Sequence, residues 1–204
     1  MSQLKVNKNF IHDCNSPKVN FKDYQKSILD MNFTSQELSD ILHFYLFNAP
    51  TLKNDKTDNL YGFKSLKEYG WTRKSLSKLE SSLLAASSID KFCIIKADSI
   101  ENTLKSMNLD ESICIEHPRA VLKQNFSTSV HEDGSVKITQ KEARMECLFR
   151  HIRNSFAHNC TYLFENDNIL LEDKDDKGKI SARMLIPKRA LLEWIPIIKK
   201  ENIQ

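Results

Sequence analysis

RMECLFRHIRNSFAHNCTYL, residues 144–163, is the stretch on which the reading of the fold turns. Just before it, Thr139-Gln140-Lys141-Glu142 has the spacing of a capping box, in which Thr and Glu satisfy orphan N–H groups reciprocally. No Gly or Pro follows until Gly178. Advancing ~100° per residue, Met145, Leu148, Phe149, Ile152, Phe156, Cys160 and Leu163 fall on one side. That is a core stripe of ordinary width. Cys147, Arg150, Asn154, Ala157, His158 and Thr161 fall opposite, with Arg153 and His151 at the two flanks. The pattern predicts one long helix over Arg144–Leu163, buried along one side.

The polar side carries the candidate chemistry. Arg150, Asn154 and His158 line up at i, i+4 and i+8. An ideal helix sets Arg153 ~140° from His158, so one helix holds the two apart. Two copies packed across a two-fold axis would bring Arg and His of both chains into one cleft. No acidic residue lies between Arg150 and Leu163, and Arg150 alone has a carboxylate four residues before it, Glu146. Arg supplies a permanent planar charge suited to phosphate. His supplies a proton that moves near neutral pH. Together they are the minimum equipment for metal-free phosphodiester chemistry on RNA. The simpler reading is a solvated face, because charged helix faces usually are just solvated. Arg144 and His151 match the same loose spacing.

Leu148 to Asn159, with its Arg153-Asn154-Ser155-Phe156-Ala157-His158 core, resembles the signature helix of HEPN domains: Arg, a polar residue, then His after four to six positions. The order downstream is similar to the pEK499-type subgroup, in which this helix is followed by a short hairpin and a closing helix with Leu-x-x-Trp. Leu191-Leu192-Glu193-Trp194 matches that element. The resemblance is strongest over 140–195. It implies a helical, dimeric domain, and many such domains are metal-independent ribonucleases of toxin–antitoxin, phage-defence or RNA-processing systems. Others are non-catalytic modules that bind a protein or nucleotide. Carried over, Arg153 holds the scissile phosphate. His158 is general acid and base toward the 2′-hydroxyl or the leaving oxygen. Asn154 orients either group, and Arg150 and His151 are auxiliary RNA contacts. Implied partners are RNA, a second copy of the chain and a cognate antitoxin, with no cofactor and no metal. Cys160 stands where one subgroup has a tyrosine that a partner enzyme modifies.

Composition sets bounds. The chain has 204 residues, a formal net charge of +3 and 40% hydrophobic residues. That suits a single domain over 20–204, preceded by a polar, flexible segment over 1–19. A dedicated nucleic-acid module is usually more basic, so any RNA site is a local patch. Five cysteines without C-x-x-C spacing argue against zinc and a disulfide framework, and for a reduced, cytoplasmic protein. No signal peptide or membrane span is visible.

Elsewhere, Thr34-Ser35-Gln36-Glu37 is a second capping box, opening a helix to about Phe47. Thr51–Asn59 reads as a charged loop. Ser65–Tyr69 and Thr72–Ser87 read as a short and a longer helix, and Ser99–Met107 as another. Lys91–Ile95 is ambiguous between strand and buried connection. Glu132-Asp133-Gly134-Ser135 is a turn between two extended runs. Asn168–Leu171 and Ile180–Ile186 flank a hairpin turn near Asp176-Lys177-Gly178. Asp173 and Asp175 superficially suggest a calcium loop, but Met184 stands where the bidentate Glu belongs. The expected fold is mainly α: a HEPN-like helical bundle with a long central helix and a small C-terminal β-hairpin.

Overall fold

The computed structural model describes residues 18–51, 64–97, 99–131, 133 and 135–201. Most of the expected flexible segment and of the 51–59 loop lies outside them.

Local signals set several elements where the sequence placed them. Thr34 N–H donates to Glu37 Oε2 at 2.9 Å and Glu37 N–H to Thr34 Oγ1 at 3.2 Å. This box opens α1, Ser35–Leu42, which runs on into a π turn, His43–Phe47. A 3-10 turn at Arg73–Ser75 leads into α2, Leu76–Ser87. Short α3 spans Glu101–Ser106.

The central helix, α4, is shorter than its pattern suggested. It spans Arg144–Ala157. Thr139 belongs to a strand, and the helix is opened instead by Glu146, whose Oε2 accepts the Ala143 N–H at 2.7 Å. It stops because Asn159 takes a left-handed conformation, φ 52°. Cys160 N–H reaches Ser155 O at 2.8 Å and Asn159 N–H reaches Phe156 O at 3.2 Å. That pair of bonds is a Schellman ending, with Asn in the place more often held by Gly. Thr161–Leu163 then leaves as a strand, so Cys160 and Leu163 are not on the helix.

The mainly α expectation fails on the strands. In chain order they are β1 Val19–Asn20, β2 Phe92–Ile95, β3 Ser112–Ile113, β4 Arg119–Lys123, β5 Phe126–Val130, β6 Val136–Gln140, β7 Thr161–Leu163, β8 Asn168–Lys174 and β9 Ile180–Pro187. Five form a mixed sheet in the order β2-β4-β9-β8-β7, with β2 and β4 parallel and the rest antiparallel. The expected hairpin, β8–β9, is therefore the heart of an α/β fold rather than an appendage. β1–β3 and β5–β6 are separate two-stranded ribbons.

Both faces of the five-stranded sheet are covered. Ala120, Leu122, Ile169, Leu171, Ala182, Met184 and Ile186 join one core with α1, α2, α4 and the closing helix α5, Ala190–Lys199. Val121, Leu170 and Leu185 join a second core with Phe21, Leu104 and Ile113. A sheet buried on both sides loses the in/out alternation that marks a strand, and its strands read as short apolar runs. That is why β4 went unrecognised and β2 looked ambiguous. Arg183, at 4% exposure, is neutralised by its cross-strand partner Glu172 at 2.7 Å and lies 4.5 Å from the Phe21 ring centre. Cys93, Cys147 and Cys160 are free thiols, whereas Cys114 is disulfide-bonded, against the expectation of an all-reduced set. Among the described residues no helix is long and apolar enough to cross a membrane.

Candidate functional site on the central helix

α4 lays its apolar stripe on the first core: Met145, Leu148, Phe149, Ile152 and Phe156 are all buried. The side turned toward β4 and β8 is also buried, and it is polar. His151 has no exposed surface. Its Nδ1 lies 2.6 Å from Asp173 Oδ2 on β8. Its Nε2 lies 3.1 Å from Arg150 Nη2 and 2.9 Å from Lys123 O at the end of β4. Asn154 Nδ2 donates to the same Asp173 Oδ2 at 3.2 Å.

Arg150 is held by a second carboxylate. Its Nε and Nη2 donate to the two oxygens of Glu142 at 2.8 and 2.7 Å, a bidentate, charge-assisted pair. Arg150 Nη2 also donates to Lys123 O at 3.1 Å. Glu142 Oε1 further accepts the Asn125 N–H at 2.8 Å. Three side chains of α4 are thus fastened to the sheet and to the chain that enters the helix.

The electrostatics follow from burial and pairing. Burial, reinforced by the Arg150 charge, pushes the His151 pKa below its usual value, against the opposing pull of Asp173. The Nδ1–H of a neutral His151 donates to Asp173 Oδ2, while Nε2 faces Arg150 Nη2 and Lys123 O. Burial would raise Asp173, but the bonds from His151 and Asn154 outweigh it and hold the carboxyl below its usual range. Burial would likewise raise Glu142, and the Arg150 guanidinium outweighs it. Burial pushes the Cys147 thiol far up, so it is no nucleophile.

The five candidate residues therefore separate into two groups. Arg150, His151 and Asn154 come together, but around carboxylates. The expected basic face without carboxylate partners does not exist there: Arg150 pairs with Glu142 and not with Glu146, which caps the helix. His151 has no surface from which to touch RNA in this conformation. Arg153 is half-buried, and His158 is exposed at the C-cap, just past the last helical residue, with exposed Ala157 and Asn159 beside it.

Glu142, Asp173 and Ser181 were not foreseen as site residues. A polar residue at the flank of an apolar stripe was the one available signal, because a buried imidazole needs partners. The partner of His151, Asp173, lies 22 residues away on the sheet, and that of Arg150, Glu142, lies 8 residues away before the helix start, and no local pattern joins them. Asp173, Ser181, Asn154, Asn125 and Lys123 line a cleft of about 210 Å³ beside the helix. Among the described residues no group of three or more His, Cys, Asp and Glu side chains is arranged to hold a metal ion.

A family model described as HEPN pEK499 p136 matches residues 64–199, two thirds of the chain. No curated protein and no solved structure matches. The match spans α2 through α5 and includes the whole five-stranded sheet and α4. The chain belongs to the HEPN pEK499 p136 family.

Proposed function

We propose that the chain is a HEPN-type metal-independent endoribonuclease of a bacterial defence or toxin system, with Arg153 and His158 as its chemical groups. The observation that carries the reading is their position on α4. Arg153 lies near its end and His158 is its C-cap, where Ala157, His158 and Asn159 are exposed. Arg150, His151 and Asn154 of the same helix are engaged by Glu142 and Asp173.

In this reading the guanidinium of Arg153 binds the scissile phosphate and stabilises the charge that grows on its oxygens. His158 exchanges protons at the reacting oxygens. The 2′-oxygen attacks phosphorus as its proton passes to one imidazole. The bond from phosphorus to the 5′-oxygen breaks, and that oxygen takes a proton from a second imidazole. The products are a 2′,3′-cyclic phosphate and a free 5′-hydroxyl. Two copies of α4, apposed at the small Ala157, supply both imidazoles and both guanidinium groups. The buried network keeps the helix in one rotation while RNA binds.

The test is cleavage of end-labelled RNA in excess EDTA by the parent protein and by His158→Ala. Cyclic-phosphate or 3′-phosphate ends that appear with the parent and vanish in the variant support the reading. A folded, dimeric parent that leaves RNA intact would move the assignment to a binding module of the same family.

A further inference from the structure

His158 owes its place to the backbone that carries it. Among the described residues its imidazole has no hydrogen-bond or ion-pair partner. It stands at the C-cap of α4, with φ −99° and ψ 7°. A group that exchanges protons must sit within hydrogen-bond reach of the oxygen it serves. A displacement of about 1 Å can cost on the order of 100-fold in rate. Whatever fixes the backbone around His158 therefore fixes the chemistry proposed for it.

That backbone is held carbonyl by carbonyl. His158 O accepts the Cys160 thiol at 3.5 Å. Cys160 O accepts the Glu172 N–H at 3.0 Å, and Thr161 O accepts the Lys26 N–H at 3.1 Å. Asn159 O accepts the Gln25 side-chain amide, Nε2, at 3.1 Å, and among the described residues it has no other donor. Asn159 is the left-handed residue that ends α4, φ 52°. A residue with a Cβ keeps that conformation only where its neighbours hold it. The one side chain that reaches its carbonyl comes from 134 residues earlier.

The origin of Gln25 is itself fixed. Phe21 lies in the second core, whereas Ile28 and Met31 lie in the first. The chain between them passes round the edge of the sheet, which is β7. At the crossing Gln25 pairs with Tyr162 in an antiparallel bridge, and Thr161 Oγ1 donates to Lys26 O at 2.5 Å. The strap is thus pinned to the strand that leaves the helix, and the Gln25 amide reaches Asn159 from a backbone that cannot slide.

We infer that Gln25 is a positioning residue of the ribonuclease site: its amide holds the Asn159 carbonyl and through it sets where His158 stands. The inference rests on the ribonuclease reading above and adds to it a residue from outside α4. Arg153 lies within the hydrogen-bonded turns of the helix and does not depend on this bond. Gln25 should therefore matter for the chemical step and not for holding the phosphate.

The test is steady-state cleavage of a short end-labelled RNA in EDTA by the parent, Gln25→Met, His158→Ala and the double variant. Met keeps the length of the side chain but has no N–H to donate. Gln25 is exposed, so the substitution should leave the urea midpoint unchanged. Gln25→Met is expected to lower kcat about tenfold with KM within about twofold of the parent. In the His158→Ala background it is expected to lower the residual kcat no further, since no imidazole remains to be misplaced. A kcat within about twofold of the parent, or a loss confined to KM, overturns the positioning role and leaves the ribonuclease reading standing. A tenfold loss repeated in the His158→Ala background means a general loosening of the helix end and overturns action through His158. A folded parent that cleaves nothing overturns the ribonuclease reading, and the positioning role falls with it.

Discussion

His151 Nδ1 lies 2.6 Å from Asp173 Oδ2, and neither side chain is more than 2% exposed. This contact joins the middle of α4 to the end of β8 in the sheet. It is reinforced by Asn154 on the same oxygen and by the Arg150–Glu142 pair one turn earlier. The rotation of α4 about its own axis is therefore set by polar contacts as well as by its apolar stripe. That rotation decides what Arg153 and His158 face.

Asp173→Ala should cost roughly 2–4 kcal/mol, because it strands a buried donor, His151 Nδ1–H, and a partly buried one, the Asn154 amide, at about 1–3 kcal/mol each. Urea unfolding followed by circular dichroism checks this. A loss below about 0.5 kcal/mol, the usual size for a surface substitution, would show that the network does not hold the helix.

The same contact sets an acid limit. His151 is held below its ordinary pKa in the fold, so the unfolded chain takes up the proton first as pH falls. Stability is complete above about pH 6.5 and declines from there toward the folded pKa. Asp173 and Glu142, also held low, add a further loss below about pH 4. Urea midpoints at about pH 7.5, 6 and 5 should fall in that order, and His151→Gln should flatten the series. A midpoint that rises from pH 7.5 to 5 would mean that His151 is charged in the fold.

The helix was legible in the sequence, but its surroundings were not. The Thr34–Glu37 box, the β8–β9 hairpin with its turn at Gly178 and the buried stripe of α4 all follow from spacing alone. The end of α4 was overrun because Asn159 stops the helix with a left-handed turn, and an Asn inside an apolar period gives no warning of it. The sheet was missed because β4, Arg-Ala-Val-Leu-Lys, is five residues long and four of them are buried. The site was half-read for a related reason. Arg153 and His158 belong to a local motif, whereas Glu142 and Asp173 reach His151 and Arg150 only through the fold.

A dimer across the end of α4 makes Ala157 a point of close approach. It is exposed in the single chain. Ala157→Arg should leave the urea midpoint within about 0.5 kcal/mol of the parent. It should turn a light-scattering dimer into a monomer at micromolar concentration. A parent that is itself monomeric under those conditions would count against the composite site.

His158→Ala is the most direct test of the central claim, that the exposed end of α4 performs RNA chemistry. The substitution removes an exposed imidazole and should leave stability within about 0.5 kcal/mol of the parent. Cleavage of end-labelled RNA in EDTA should fall by about 100-fold or more, the usual contribution of a general acid–base group. Full cleavage by a folded His158→Ala protein would contradict the account and place the chemistry elsewhere in the molecule.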